Sequence, residues 1–245
     1  NQHYPHALRQ INTPPPFLMV KGNLEVVALP QLAVVGSRYP TAAGQQQAYE
    51  FSQALANMGL VITSGLAKGI DACAHNGALS VGAKTIAVMG TGMEHIYPSQ
   101  HGELSEQITE NGAIISEFPL HSKAMPGHFP RRNRIVSGLS LGTLVIEATI
   151  KSGSLITARQ ALEQNREVFA IPGPIQNPQK SGCHYLIRQG AILVENPMQI
   201  VDELKFMQSK QQAHSIKDPA QYRKLSDEQS KLAKVMDYEG ASLDE

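Results

Sequence analysis

Residues Leu32 to Gly69 read LAVVGSRYPTAAGQQQAYEFSQALANMGLVITSGLAKG. The stretch opens on an apolar run, Leu32 to Val35, and turns at Gly36-Ser37-Arg38. It continues through a helix-length segment from Thr41 to Met58 and reaches a second apolar run, Leu60 to Thr63. Neither run alternates apolar with polar residues, which is the pattern of a strand covered on both faces. Gly59 stands between helix and strand, where a helix stop belongs. Two such strands joined by a helix form one unit of an open parallel sheet.

The same order recurs along the chain. Further strands are predicted at Phe17 to Val20, Thr85 to Met89, Ala113 to Ser116, Thr143 to Glu147, Val168 to Ile171 and Ala191 to Val194. Helices are predicted at Ile70 to Ser80, Gln100 to Asn111, Asn133 to Leu139, Ser154 to Gln164 and Cys183 to Gln189, with Gly82, Gly112 and Gly190 as further stops. The expected fold is α/β: a doubly wound, mostly parallel sheet with helices on both faces. Residues 1–22 read as a Pro-rich extended linker leading into the first strand, and 23–207 as the main domain. Residues 208–224 read as a flexible polar linker, and 225–245 as the first helix of a truncated domain with Ser226 at its N-cap. The start at Asn1 without Met is that expected of a piece cut from a longer protein.

The 245 residues hold 21 Lys/Arg against 21 Asp/Glu, which excludes both a histone-like binder and an acidic disordered chain. No apolar run approaches the roughly 18 residues of a membrane span, and no signal-type leader opens the sequence, so a cytoplasmic setting without membrane contact is expected. Cys73 and Cys183 have no partner at metal-ligand spacing and read as reduced packing residues. The zero charge is a sum. Residues 1–194 carry 14 basic and 11 acidic side chains, a net of +3, whereas residues 195–245 carry 7 and 10, a net of −3. From Phe118 to Ile146 the chain has Lys123, Arg131, Arg132 and Arg134 and no acid. An aromatic share of 5% without Trp argues against a broad stacking platform, so nucleic-acid binding would rest on one or two aromatic contacts plus phosphate recognition.

Ligands of open parallel sheets bind beyond the carboxyl ends of the strands, where strand order reverses. Five small-residue turns fall there: Gly36-Ser37-Arg38, Ser64-Gly65-Leu66-Ala67-Lys68-Gly69, Gly90-Thr91-Gly92, Lys151-Ser152-Gly153-Ser154 and Pro172-Gly173. Small residues let backbone N–H groups approach an anion, and helix N-termini add positive partial charge. One such turn is ordinary turn chemistry; five on one rim point to phosphate.

Enzyme signatures are missing. There is no P-loop, H-E-x-x-H, C-x-x-C or G-x-S-x-G, and Gly90-x-Gly92 is followed by His95 where a dinucleotide motif has its third glycine. Asp71, Glu117 and Glu147 fall near strand ends and could act as acid or base. Bracing the loops through backbone or arginine hydrogen bonds is the favoured reading. No catalytic residue, metal or cofactor is expected.

The strongest local pattern is Phe129-Pro130-Arg131-Arg132-Asn133-Arg134-Ile135-Val136, expected to stand just before a helix. The guanidinium fork matches phosphate and a Phe ring offers a base a stacking face. Arg131 and Arg132 read as phosphate contacts, and Arg134, next to Ile135-Val136, as a structural partner for Glu117 or Glu147.

With these segments stand Val34-Val35, Ile70-Asp71-Ala72, Ala74-His75, Tyr97-Pro98, Ser116-Glu117, Glu147-Ala148 and Leu155-Ile156-Thr157-Ala158. The ordered series resembles the DNA-processing A family (DprA, also called Smf) over about residues 4 to 204. The resemblance implies an extended Rossmann fold and a homodimer that binds single-stranded DNA without turnover. It further implies protection of incoming strands in natural transformation and help in loading the RecA recombinase. By similarity, Arg38 of the Gly36-Ser37-Arg38 turn, Phe129, Arg132 and Asn133 belong to the DNA pocket, and Ser64-Gly65 and Ser152-Gly153-Ser154 line the same rim. Members often carry a helical N-terminal domain, absent from this sequence, and a winged-helix C-terminal domain, of which residues 225–245 would be the first helix.

Two other readings stand beside it. LOG-type nucleoside monophosphate phosphoribohydrolases use P-G-G-x-G-T-x-x-E. The matching stretch here, Leu139 to Glu147, lacks the paired glycines and places the acid one residue later, which turns it to the other face of a strand. A module sensing a free nucleotide is the third reading. The segment Cys183 to Phe206 is read as the ordinary close of the sheet ahead of a dimer or RecA surface.

Overall fold

The computed structural model describes residues 4–205. At its centre is β2 (Gln31–Gly36), whose Leu32, Ala33 and Val34 are fully buried. It pairs in parallel with β3 (Val61–Ser64) on one side and β6 (Gly142–Ile146) on the other, with Val34 opposite Leu144 and Val35 opposite Val145. The remaining strands are β1 (Met19–Gly22), β4 (Thr85–Val88), β5 (Ala113–Ser116), β7 (Glu167–Ala170) and β8 (Ile192–Leu193). The spatial order is β1-β5-β4-β3-β2-β6-β7-β8, parallel throughout except for the edge pair β1 and β5. The sheet is therefore the expected doubly wound one, with every strand within two residues of its predicted bounds.

Seven helices accompany it among the described residues: α1 (His6–Arg9), α2 (Ala42–Asn57), α3 (Ile70–Leu79), α4 (Gly102–Asn111), α5 (His128–Leu139), α6 (Gly153–Glu163) and α7 (Ser181–Arg188), and a further helix begins at residue 197. From β2 the chain winds outward through α2, and from β6 it winds the opposite way through α6. Right-handed crossovers then place these helices on opposite faces. α2 packs on α3, and α5 packs on α6. No described helix is long and apolar enough to cross a membrane.

Three local readings are corrected. Residues 5–16, expected to be extended linker, contain α1, and Leu8 and Ile11 are buried in the core against α5, where Gly138 leaves room for both. Tyr4 Oη donates to Pro15 O at 2.7 Å and closes the segment on itself. The 3-10 helix Leu24–Ala28, which buries Val26 and Val27, was not foreseen. α5 begins at His128 instead of Asn133, so the Phe129-Pro130-Arg131-Arg132 run is helical. Pro130 is tolerated there because N–H groups of a first turn have no intrahelical acceptor to lose. The linker and helix expected at 208–224 and 225–245 lie outside the described residues.

His75 of α3 is fully buried, with Nδ1 2.8 Å from Thr85 Oγ1. Thr85 gives its hydroxyl proton to Ile62 O at 2.6 Å, so His75 Nδ1 is the donor and Nε2 is left as a buried lone pair without a partner. Burial, then His101 and Arg132, lowers the His75 pKa from 6.5 to about 3.

Two outcomes follow from this packing. Leu8→Ala should lower stability by about 2–5 kcal/mol in denaturant titration, as for a core leucine; a loss within about 0.5 kcal/mol would mean that the segment does not pack. Between pH 6.5 and about 3 the unfolded chain binds a proton at His75 that the folded chain excludes. Its contribution is thus complete above 6.5 and declines on acidification by up to about 1.4 kcal/mol per unit. His75→Gln should remove one proton's worth of that slope, and an unchanged slope would refute the assignment.

Candidate functional site

The two windings diverge between β2 and β6, and a cleft of about 640 Å³ opens at the carboxyl ends of these strands and of β3. β2 delivers Gly36, Ser37 and Arg38 to it, and Ser37 Oγ accepts from Tyr39 N at 3.1 Å, which holds the turn. β6 leads to Ser152, the N-cap of α6, whose hydroxyl accepts from Ser154 N at 3.2 Å. The first turn of α6 contains no acid, and a Cβ at Gly153 would meet nothing within 4 Å, so this helix start faces open space. Ser154 N and Leu155 N are both taken up by Ser152, so what this start offers a phosphate oxygen is the open Gly153 backbone and the positive end of the helix.

α5 supplies the floor. Phe129, Arg132, Asn133 and Val136 share one helix face and all line the cleft. Arg132 is only 4% exposed, and its Nη1 donates to Gly65 O at 2.6 Å and to Val88 O. Burial lowers its pKa to about 10, with Asp71 pulling upward, so the guanidinium stays charged at neutral pH. Asp71 Oδ2 accepts from Gly65 N at 3.0 Å and from Ala67 N at 3.3 Å. Burial raises the Asp71 pKa, opposed by Arg132 and these backbone donors.

The glycines of the rim have different tasks. A side chain at Gly65 would strike the Arg132 guanidinium, and one at Gly90 would strike the Phe129 ring. These two turns are small to admit the protein's own side chains, whereas Gly153 is open toward a ligand. Phe129 thereby lies across the rim with its centroid 5.4 Å from that of Tyr97 and 5.7 Å from Arg38 Cζ. A connected recess of about 140 Å³ runs past Lys68, Tyr97 and Phe129. Tyr39 stands 80% exposed at the mouth. Three aromatic rings thus meet at the cleft where one or two were expected. Tyr39 directly follows the Gly36-Ser37-Arg38 turn, the signal that could have found it.

The other predicted residues separate into groups. Ser64 is fully buried and donates to Val34 O at 2.6 Å, so it lies within the sheet beneath the rim and not on it. Asn133 accepts from Arg132 Nε at 3.2 Å and reaches Gly153 O at 3.5 Å, tying α5 to the α6 start. Arg131 does not line the cleft. It and Arg134 both reach Glu117 Oε2, at 3.1 and 2.5 Å. Glu147, in left-handed backbone at φ 53°, accepts from Thr41 N at 2.8 Å and Thr41 Oγ1 at 2.5 Å. It is fully buried and is not a cleft residue, so it is not presented as the acid of the phosphoribohydrolases would be. Among the described residues no cluster could hold a metal ion.

The family described as DNA recombination-mediator protein A matches residues 1–205. The Smf protein of Escherichia coli is 50% identical over 207 residues, which cover 84% of this chain and 55% of that protein, so the chain spans little more than half of this relative. The X-ray structure of DNA processing protein A (DprA) from Streptococcus pneumoniae aligns with a TM-score of 0.80 at 44% identity, covering 83% of this chain and 71% of the other. DNA processing protein A from Helicobacter pylori, whose structure is described for its single-stranded DNA binding mode, aligns with a TM-score of 0.76 at 30% identity over 82% and 92% of the two chains. The family match spans most of the sequence and the fold aligns with solved structures of DNA processing protein A, and the chain belongs to the DNA recombination-mediator protein A family.

Proposed function

We propose that this protein binds single-stranded DNA in the cleft between β2 and β6. It acts as a cytoplasmic, homodimeric recombination mediator that protects incoming strands in natural transformation and helps load RecA onto them. The observation that carries this reading is the meeting of Arg38, Phe129 and Tyr97 with the open start of α6 in one cleft. Phosphate is taken by Arg38 and the positive end of α6 at Gly153, and an unpaired base stacks on the aromatic pair. A duplex keeps its bases inside and offers the rings nothing. Phosphate contacts position a strand without identifying it, so sequence preference is weak.

The carboxylates support binding without turnover. Asp71, Glu117 and Glu147 each accept from the protein's own donors, as expected of bracing groups. The Helicobacter relative described for single-stranded DNA binding supports the same ligand here. The RecA and dimer roles rest on family membership.

Affinity for oligothymidylate should fall with salt at a log-log slope of roughly −2 to −4, for about 3–5 neutralised phosphates; a flat dependence would sink the reading. Arg38→Ala should weaken binding at every base composition, and loss confined to one composition would reassign Arg38 to base recognition. Phe129→Ala should cost about 1–3 kcal/mol of binding by fluorescence anisotropy, and an unchanged affinity would return the ring to a packing role. Release of ribose phosphate from AMP by the purified protein would replace the reading with the hydrolase.

A further inference from the structure

The first turn of α5 carries cationic groups on two faces. Successive helical residues rotate by about 100°, so Arg131 points roughly opposite to Phe129, away from the cleft. On that far face Arg131 Cζ lies 5.5 Å from the Phe118 ring centroid, and Phe118 stacks on His128 with centroids 4.1 Å apart. Glu117 is the acidic partner of both arginines there. Arg134 lies on Oε2 at 2.5 Å with 13% of its side chain exposed, whereas Arg131 lies at 3.1 Å with 59% exposed. The second oxygen, Oε1, is buried and has no partner.

One carboxylate cannot neutralise two guanidinium ions. Arg134, shorter and more buried, takes the carboxylate charge, and the excess positive charge sits on Arg131 at the surface. Arg131 is the solvent-facing member of this trio, and the buried Glu117 carboxylate keeps Arg134 when Arg131 swings away, so Arg131 can turn to another anion without leaving Glu117 uncompensated. Phe118 holds the guanidinium from one side, and solvent has access to it from the other. The surrounding segment, Phe118 to Ile146, adds exposed Lys123 and contains no acid.

We infer that a single strand leaving the cleft passes around the N-terminal turn of α5, and that Arg131 binds a phosphate of this outer segment. This rests on the cleft reading above and extends it from one pocket to a path with two stations, separated by the width of one helix, about 10–12 Å. The inner station is Arg38 with Phe129; the outer is Arg131 on its Phe118 platform. Strands that only fill the cleft do not reach the outer station.

The test compares oligothymidylates of about 4 and about 16 nucleotides by anisotropy across a salt series. Arg131→Ala should make the salt slope of the long strand shallower by roughly 0.7 and leave that of the short strand unchanged. Arg131→Lys, which keeps the charge, should restore the long-strand slope. An unchanged long-strand slope in Arg131→Ala, or an equal loss on both lengths, overturns the outer station. Arg38→Ala is run beside it and should weaken both lengths; if it weakens neither, the cleft reading fails whatever Arg131 does.

Discussion

The protein is organised by the reversal of winding between β2 and β6. Both strands run the same way and lie side by side, yet the chain leaves β2 toward one edge of the sheet and leaves β6 toward the other. The connections must diverge because each right-handed crossover returns over its own face. A gap is left where they part, bounded by one turn after each strand, and neither strand end is covered by the helix of its neighbour. The rim residues are useful because this gap exists. Gly36-Ser37-Arg38 and Ser152-Gly153-Ser154 are far apart in the chain and become facing walls only through the pairing of β2 with β6.

Within that gap the decisive group is buried. Arg132 joins α5 to the ends of β3 and β4 through Gly65 O and Val88 O, with Asp71 close by. A buried guanidinium needs its donors satisfied, and removing its partners would leave a charge in the core. The bond to the β3 turn holds the first turn of α5 against the rim and so sets where Phe129 lies. The aromatic surface and the cationic surface are therefore positioned by one contact. The cation that positions them is distinct from Arg38, which is exposed.

Much of the fold was legible because buried parallel strands leave a strong signature: unbroken apolar runs such as Leu32 to Val35 and Ile114-Ile115, each followed by small residues. Less was legible where burial comes from distant partners. Residues 5–16 are Pro-rich and lack periodicity, yet Leu8 is fully buried, because Gly138 of α5 opens a socket that no local pattern announces. The start of α5 was misplaced for a related reason. Proline reads as a boundary, but in a first turn it breaks no hydrogen bond.

The site shows the same division. From the sequence alone came the residue types and their order: a phosphate-suited rim, an arginine-rich segment with one Phe, and carboxylates better suited to bracing than to catalysis. Only the tertiary structure decided which side chain faces which way. It buried Arg132 and Ser64, filled the space at Gly65 and Gly90 with protein, left Gly153 open, and turned Arg131 to the far face of α5. The reason is that local sequence specifies propensity and spacing, whereas exposure is set by what the rest of the chain brings alongside. For a glycine or an arginine at a strand end, that neighbour determines whether it meets a ligand or the protein's own core.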